Sequence, residues 1–581
     1  MQSKTPQFDK ALDYYFANLE LDEKGGQWRT CRFSENKFYV RPEDVEFYKS
    51  MRVSLPTLEP EERRRRRFAV HNSYELFKGI SGYSGKKIIT LYPPGSPFTF
   101  YEHRVWYSDA WDPCAYGRDI NPSKGFFKQF HDLQVTVPRP ALMSDVSNVN
   151  SDFTTGSRNI KNCYLTFDQN GGEDLYYHQC CANDKNCIDC WALDDCDSCY
   201  DSKVSKGLFK CFFCEECRNC IESFFLWDCR NSEYCFMSSG LRNKKYYFRN
   251  EYVGKEEYER KMKEICFGKF SELQKLKEEY RELKLQSPRK ENWNERAENS
   301  IGDYIRFSRN AYLCLYAENC ENISYAEGLV NAREVYDVFG GNNSERCYEV
   351  SNIWEENIFN TKFSTRVNDC RDVEYSDLCN GCQNCFGCVG LDRKQFCIFN
   401  VQYTEDEYWK KLDEIKTRML MSGEYGEFFP PEYAIFPYRA TINMAYIGFK
   451  DLENAKLYGY DVTPIQELPD PAVLDVVQIH DLPDDIQDVG DDILSKIIVD
   501  KGGKQFRLIK QELDFYRRFG FPVPREHPNS RLAKIRDGFN IRLKFYGRAC
   551  GHCGKKITTT YPPDALEKNI WCESCYLEQI G

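Results

Sequence analysis

The sequence predicts a mainly β protein with helices, built as two duplicated β-solenoid (β-helix-like) lobes with capping helices and flanked at both ends by zinc-ribbon-like modules. Three observations predict this fold class. Cysteines recur at a short fixed period, with Cys187, Cys199 and Cys211 twelve residues apart. The body of the chain repeats at an offset of 150 residues, and the two chain ends repeat each other at an offset of 468 to 469 residues. A fixed short period is the sequence signature of a solenoid.

The predicted parts follow one another along 581 residues. Residues 6–22 have the apolar spacing of an amphipathic helix, and residues 255–285 repeat that spacing. We therefore expect, in chain order, an N-terminal helix (1–30), a degenerate zinc-ribbon-like module (31–112), a connector (113–155), β-solenoid 1 (156–254), a helical connector (255–304), β-solenoid 2 (305–403), a capping helix (404–425), an acidic linker (426–500) and a zinc-ribbon module (501–581).

The stretch 186–220 carries the clearest repeat of the solenoid pattern. Cys-x-x-Cys pairs recur through it, flanked by aromatic and β-branched residues such as Tyr200, Val204 and Phe209. Such residues suit half-buried strands, and a reduced cysteine packs as a small apolar side chain. We expect each coil to add strands to the previous one, with the thiols as interior filler.

Both solenoids open and close with matching residues. Residues 157–159 open the first and 308–310 open the second, and each triplet reads Ser-Arg-Asn. The closing segments 241–250 and 391–400 align at the offset of 150 residues. A capping helix after each closure would cover the open end of the coils.

The last four cysteines form the most specific motif of the chain. Two Cys-x-x-Cys pairs are separated by eighteen residues, and they are Cys550, Cys553, Cys572 and Cys575. Four thiolates at this spacing suit one tetrahedral structural Zn²⁺ site. Such a closed site implies a role in folding rather than in catalysis.

The N-terminal copy of this module has lost the ligands. Segment 82–94 matches 551–563, but Ser81 and Ser84 replace the first cysteine pair and Glu102 and Val105 replace the second. We predict no zinc at this end, with packing by Trp106, Tyr107 and Trp111 as a substitute.

A second cysteine run has two open interpretations. The run consists of Cys379, Cys382, Cys385 and Cys388. Its spacing is close to that of an iron–sulfur cluster, but the usual C-x3-C-P ending is missing. The same spacing recurs inside the first solenoid, so a buried ladder of thiols is the interpretation that we favour over a cluster or metal site.

Charge is distributed unevenly. The net charge is −11, yet residues 504–556 hold fourteen Lys/Arg against four Asp/Glu. Two basic groups could contact phosphates: Arg63, Arg64, Arg65, Arg66 and Arg67 near the start, and Arg517, Arg518, Arg525, Arg531, Lys534, Arg536, Arg542, Lys544, Arg548, Lys555 and Lys556 near the end. A solvated face, or pairing with the acidic stretch 451–495, explains them equally well.

Cysteine usage and hydropathy point to the cytoplasm. The chain has 29 cysteines, which in a reducing compartment are metal ligands and buried thiols. No run of eighteen apolar residues predicts a membrane span, and the first residues do not form a secretory signal.

With these residues in view, the chain resembles a family of uncharacterised Cys-rich proteins common in ultrasmall candidate-phyla bacteria. The resemblance covers nearly the full length and rests on segments 47–58, 106–119, 241–250, 424–432 and 511–528 together with the final CGHC and CESC. It implies the architecture above and no accepted activity. Members usually keep cysteine pairs in the N-terminal module, and this sequence departs from them at the four positions named above.

The expected function is a non-enzymatic zinc-containing binding scaffold that associates with RNA or a ribonucleoprotein through its basic end modules. A protein–protein interaction scaffold that uses the solenoid faces is the alternative. A cysteine-based enzyme or metal-cluster protein ranks third, since repeat β-folds also host enzymes.

Overall fold

The computed structural model describes residues 3–351, 357–445, 451–465, 475–537 and 543–580, and it combines parallel β-structure with helices. The chain divides into two compact units. The first comprises Met1–Leu142, Asn292–Gln466 and Ile541–Phe545, and the second comprises Met143–Glu291, Glu467–Asn540 and Tyr546–Gly581. Each unit therefore combines one end of the chain with the stack of parallel strands that lies further away in sequence.

The first stack, residues 144–252, belongs to the second unit. Its parallel pairing begins at Ser144 opposite Ser157 and ends where Phe236 pairs with Phe248. A short antiparallel strand then closes it. Its strands are Phe153–Thr155, Arg158–Lys161, Tyr164–Asp194, Lys203–Lys206, Phe224–Trp227, Glu233–Ser239, Lys245–Phe248 and Glu251–Tyr252.

Neighbouring strands of the first stack pair mostly at a register of twelve residues. Ile188 lies opposite Tyr200, and Phe212 lies opposite Phe224. This register equals the cysteine period in the sequence. Every third side chain points inward, as the buried run Cys187, Cys190, Leu193, Cys196 and Cys199 shows. One residue between successive inward positions has a positive φ of about 50° to 60°, so the chain turns a corner every three residues.

Asparagine and aspartate occupy many of these corners. They tolerate the left-handed conformation better than other non-glycine residues because their short polar side chains bond locally. Here the side chains also bond to the next corner along the stack: Asn219 donates to Asn231 at 3.2 Å, and Asn231 donates to Asn243 at 3.1 Å. These bonds offset part of the conformational cost of the corners.

The second stack, residues 295–402, belongs to the first unit. Its register is mostly twelve residues and becomes fourteen where Tyr348 pairs with Lys362. The interior is again lined by buried Cys, Ala, Val, Leu and Ile. Its strands are Ile301–Arg306, Arg309–Glu318, Glu321–Ser324, Glu327–Val330, Arg333–Asn342, Glu345–Ser351, Lys362–Thr365, Arg371–Glu374, Gln383–Phe386, Gln395–Ile398 and Val401–Gln402.

The rest of the first unit is helical with short hairpins. Its α-helices are Pro6–Ala17, Pro42–Ser50, Pro60–Phe68, His103–Trp106, Phe126–Thr136, Glu405–Met421, Ile442–Ala445 and Leu452–Leu457. Its 3-10 helices are Pro113–Tyr116, Pro431–Tyr433 and Tyr438–Ala440. Its remaining strands are Gln27–Thr30, Lys37–Val40, Phe77–Ile80, Lys87–Thr90, Phe100–Tyr101 and Arg139–Pro140. The helix after the second stack starts at a capping box, in which Thr404 and Glu407 cap each other's backbone.

The rest of the second unit has the same mixture. Its α-helices are Lys255–Lys263, Phe270–Gln286, Lys510–Phe519, Pro528–Asp537 and Glu573–Ile580, and its 3-10 helices are Ile486–Asp488 and Asp491–Ser495. Its remaining strands are Arg289–Lys290, Val476–Gln478, Ile497–Val499, Gln505–Phe506, Tyr546–Ala549, Lys556–Thr559 and Ile570–Trp571.

Two expected boundaries and the content of one expected segment differ from the structure. Parallel pairing begins at residue 144 rather than 156, and at residue 295 rather than 305. In its described parts, the expected acidic linker 426–500 holds short helices and the strands Val476–Gln478 and Ile497–Val499, which form a sheet with Gln505–Phe506. These described parts pack against the rest of the chain because aromatic side chains such as Phe428, Tyr438 and Tyr460 are buried.

Candidate metal centre and end-module anchors

The four predicted metal ligands meet in the second unit. The hairpin of Tyr546–Ala549 and Lys556–Thr559 presents Cys550 and Cys553 in its turn. Gly554, with φ of +76°, closes that turn by donating its N–H to the Cys550 carbonyl at 3.0 Å. Cys572 and Cys575 lie at the start of the helix Glu573–Ile580, and all four sulfur atoms lie within 4.8 Å of one another.

Backbone N–H groups surround the Cys550 sulfur. Cys572 donates to it at 3.2 Å, His552 at 3.4 Å and Cys553 at 3.5 Å. Burial raises the pKa of Cys550, but these donors outweigh it and bring the pKa to about 6. A hydrogen bond with Ser574 likewise lowers the pKa of Cys572. These contacts favour the thiolate at Cys550 and Cys572, and the four cysteines could bind a metal ion.

The N-terminal copy of this turn keeps the backbone and changes the chemistry. Ser81 accepts N–H bonds from Tyr83 and Ser84, as Cys550 does from its own turn. Gly85 donates to the Ser81 carbonyl at 3.0 Å, matching Gly554. Both serine hydroxyls donate to the Glu102 carboxylate. Hydrogen bonds thus join three of the four positions that cysteines occupy at the other end of the chain, and Val105 stands at the fourth.

Each end module has a further hairpin turn, and the one in the second unit is one residue shorter than the others. In the first unit Cys31 begins it, and Ser34 donates to Glu59. In the second unit Asp500 begins it, and its carboxylate accepts the His527 N–H at 3.3 Å. Burial lowers the pKa of His527 to about 4, so this ring is neutral at physiological pH.

The five consecutive arginines Arg63–Arg67 do not form an exposed basic surface, so the expectation that they contact nucleic acid is corrected. Their helix Pro60–Phe68 is buried on all sides, and each side chain is at most 8% exposed. Carboxylates of the second stack pair with four of them: Glu327 with Arg64, Asp337 with Arg63 and Arg67, and Glu349 with Arg66 and Arg67. Arg65 pairs with Glu62 at 3.0 Å.

The C-terminal basic residues divide into three groups. Arg531 and Arg536 are buried, and Arg525 and Arg548 are half-buried. The exposed members are Arg517, Arg518, Lys534, Lys544, Lys555 and Lys556. Arg517 pairs with Asp491 at 2.6 Å, which is the pairing with the acidic stretch that the sequence left open. Arg542 lies outside the described residues.

Arg531 anchors the C-terminal module to the first stack. Its guanidinium is 2.6 Å from the Asp189 carboxylate, 3.0 Å from Glu512 and 2.9 Å from the Tyr516 hydroxyl. It also lies over the Tyr177 ring, at 4.6 Å from the centroid. The guanidinium therefore joins Asp189 and Tyr177 of the stack to two residues of the module in a buried network.

The first unit repeats this anchor. Arg63 is 2.9 Å from Asp337 and lies over the Tyr325 ring at 5.0 Å. The corresponding residues are Arg63 and Arg531, Asp44 and Glu512, Tyr48 and Tyr516, Tyr325 and Tyr177, and Asp337 and Asp189. The module residues differ by 468 in number and the stack residues by 148. Each unit is therefore a copy of one design, in which an end module holds a stack through a buried arginine.

The second unit also has a partly open pocket of about 330 Å³. Its charged lining is internally paired: Lys277 is 2.5 Å from Asp201, and Lys284 is 2.7 Å from Glu215. A comparable arrangement in the first unit joins Lys416 and Lys362 to Glu374. These pairs attach a helix to each stack.

The cysteines of the second stack lie where a buried ladder of thiols would place them. The four thiols from Cys379 to Cys388 are at most 1% exposed, and each donates to a backbone carbonyl two residues earlier, at 3.3 to 3.5 Å. Within the described ranges, the two groups of three or more His, Cys, Asp or Glu close enough to share an ion are the C-terminal four and His178–Cys181–Asp184. The sequence did not predict the second group, because its three positions hold three different residue types and form no repeated motif.

Comparison with known proteins adds little. No family model matches the chain. No curated protein matches it either, so the resemblance stated above stays a prediction. A solved chain described as a "putative acetyltransferase" from Desulfovibrio desulfuricans G20 is 8% identical, covers 49% of this chain and 72% of its own length, and has a TM-score of 0.09. That score carries no argument. Of the helices that the structure describes, none has the length and apolar character needed to cross a membrane.

Proposed function

We propose that this chain is a non-enzymatic zinc-containing binding scaffold, made of two capped β-solenoids that are each held by a zinc-ribbon-like end module. The twelve-residue register and the inward thiols support the solenoid assignment. Four thiolates in two paired turns favour Zn²⁺ over harder cations, because soft sulfur ligands select zinc. All 29 cysteines are free thiols, which supports a reducing cytoplasmic location.

The buried arginine anchor carries the scaffold proposal. A buried ion pair contributes little net stability, but removing one partner leaves an uncompensated charge and is strongly unfavourable. The anchor occurs once in each unit, and there it holds the end module in one fixed arrangement on its stack. A platform of this kind suits the presentation of binding surfaces, as repeat proteins commonly do.

The exposed metal turn supports RNA as the partner. His552, Lys555 and Lys556 are exposed on the turn that holds Cys550 and Cys553. The His552 ring lies 5.0 Å from the Trp571 ring. Proteins bind single-stranded nucleic acid through cationic side chains that lie beside aromatic rings. With the N-terminal arginines buried, the RNA proposal rests on this C-terminal turn.

The test compares the two copies of the turn. Lys86 and Lys87 occupy the positions that Lys555 and Lys556 occupy at the other end, and all four are exposed. Binding of single-stranded RNA to the pure chain is measured across a salt series. We expect K555E/K556E to weaken binding and to reduce the salt slope by about 1.4, that is, about 0.7 for each lost phosphate contact.

The matched variant K86E/K87E should leave the affinity and the slope close to those of the wild type. Equal loss in both variants would mean a non-specific charge effect. No salt-sensitive RNA binding by the wild type would reject RNA as the partner.

A protein partner is the second candidate, and one observation favours it. Val146, Val149 and Phe153 lie on the first coil of the first stack and are 53%, 56% and 39% exposed. Neighbouring exposed apolar side chains favour protein contact. Affinity isolation from native lysate, with and without nuclease, separates the candidates, because a protein partner stays bound after nuclease treatment. Iron in the pure protein would instead support the cysteine-based enzyme or metal cluster.

A further inference from the structure

One turn of the first stack points metal-binding side chains at one another. His178, Cys181 and Asp184 are successive inward residues, and their ligand atoms all lie within 4.8 Å of one another. Cys187, the next inward residue, contacts the His178 ring, and its sulfur lies more than 4.8 Å from at least one of the other ligand atoms. These four side chains are at most 3% exposed. A nitrogen, an oxygen and two sulfur donors therefore share one layer of the interior.

Two of these side chains lack hydrogen bonds that a buried polar group needs. Neither ring nitrogen of His178 has a hydrogen-bond partner, and neither does Oδ2 of Asp184. The closest approach of the two residues, Nε2 to Oδ2, is 3.5 Å. Folded proteins leave few buried polar atoms unsatisfied, because each costs about 1–3 kcal/mol. The unsatisfied atoms face one another and suit a cation between them.

The rest of the turn holds the donors in place. The backbone N–H of Cys196 donates to the second carboxylate oxygen of Asp184 at 2.8 Å. The N–H of Leu193 donates to the Cys181 sulfur at 3.1 Å, the kind of contact that Cys572 makes with Cys550 at 3.2 Å. Contacts of this type orient metal ligands and favour the thiolate.

The second stack shows that the fold itself does not require these residues. The offset of 148 residues that relates the two arginine anchors maps this turn onto four apolar residues. They are Ala326, Leu329, Ala332 and Val335, all at most 1% exposed. One stack therefore has an apolar layer where the other has a layer of metal-binding side chains. Packing alone does not account for a fully buried histidine and aspartate.

We propose that the first stack binds a Zn²⁺ ion through His178, Cys181 and Asp184, with Cys187 completing a tetrahedral site. Imidazole, thiolate and carboxylate are all ligands of protein zinc. With both cysteines as thiolates and Asp184 ionised, the ligands carry three negative charges against the two positive charges of the ion, so the bound site has a net charge of −1. Because the site is closed, the metal stabilises this turn and enters as the chain folds.

Metal content of the pure full-length chain tests the proposal. The wild type should hold about two zinc ions, one at each site. The variant H178A/C181L/D184A/C187V copies the apolar layer of the second stack, so it keeps a packing that this fold already uses, and it should lose one ion. C553S/C572S should lose the other ion, and the combined variant should bind none.

X-ray absorption at the zinc edge gives a second measurement that needs no change in the interior. In C553S/C572S the remaining zinc should have mixed nitrogen, oxygen and sulfur ligands, with Zn–S near about 2.3 Å and Zn–N near about 2.0–2.1 Å. Zinc content that the four-residue variant leaves unchanged would overturn the proposal. So would zinc-free C553S/C572S, which would mean that His178 and Asp184 form only a buried ion pair.

Discussion

Replacing Arg531 by methionine tests whether the buried arginine is an anchor or an RNA contact. The change removes the cation shared by Asp189 and Glu512, whose side chains are 4% and 0% exposed. Removing one partner of a buried ion pair costs about 3–5 kcal/mol. Because two carboxylates lose their partner here, we expect a cost toward the upper end of that range.

Hydrogen exchange measures this cost locally. The helices Lys510–Phe519 and Pro528–Asp537 carry Glu512 and Arg531, so their protection reports how firmly the module is held. The expected cost corresponds to exchange that is about 100- to 5000-fold faster in these helices. Arg518→Met, an exposed change on the first of these helices, should cost less than about 0.5 kcal/mol.

Adding Asp189→Asn should recover part of the loss in Arg531→Met, because it removes one of the two uncompensated carboxylates. Equal protection in Arg531→Met and Arg518→Met would refute the anchor. Loss of RNA binding by Arg531→Met with unchanged protection would return Arg531 to the nucleic-acid surface.

Three further predictions concern the C-terminal metal site, two buried carboxylates and one buried phenylalanine. Cys553→Ser should release the C-terminal metal and expose the last helix to protease, and protection equal to the wild type would contradict a structural role for the ion. Burial raises the pKa of Glu215 and Glu374, but neighbouring lysines outweigh it and hold each pKa at about 2, below the ordinary 4.5. The unfolded chain therefore binds more protons at acid pH, so each of these carboxylates should cost the fold about 3 kcal/mol of stability as pH falls from 4.5 to 2. The loss is measured as a fall in the urea midpoint with falling pH. Lys284→Met should make that pH dependence shallower by the share due to Glu215. Phe521→Ala should cost about 3–5 kcal/mol in urea unfolding because Phe521 is fully buried, and a cost below about 1 kcal/mol would contradict its packing against Phe212.

Local spacing in the sequence predicted local structure. The three-residue spacings from Cys550 to Cys553 and from Cys572 to Cys575 each fit one turn of the chain, so the candidate metal ligands could be named from the sequence. The twelve-residue cysteine period predicted the strand register, because in a stacked strand the number of residues per turn equals the offset between paired residues. The matches between chain ends likewise predicted two copies of one module.

Charge was the property that the sequence did not resolve. The side chains of five consecutive arginines on a helix point in all directions. This pattern is compatible with an exposed helix and with a buried helix whose arginines pair with carboxylates on every side. Here Glu327, Asp337 and Glu349 supply those carboxylates from more than 250 residues away. Composition cannot distinguish these cases, because the partners come together only in the folded chain.

The sequence by itself determined the repeat, the duplicated end modules and the four C-terminal cysteines, since each is written in short, regular spacings. Only the tertiary structure decided that the N-terminal module joins the second stack and the C-terminal module joins the first. It also decided that Arg63 and Arg531 are interior anchors and that His178 meets Asp184. Those outcomes depend on which side chains of a coil point inward and on which distant carboxylate lies beside them. Local spacing in the sequence does not encode which carboxylate that is.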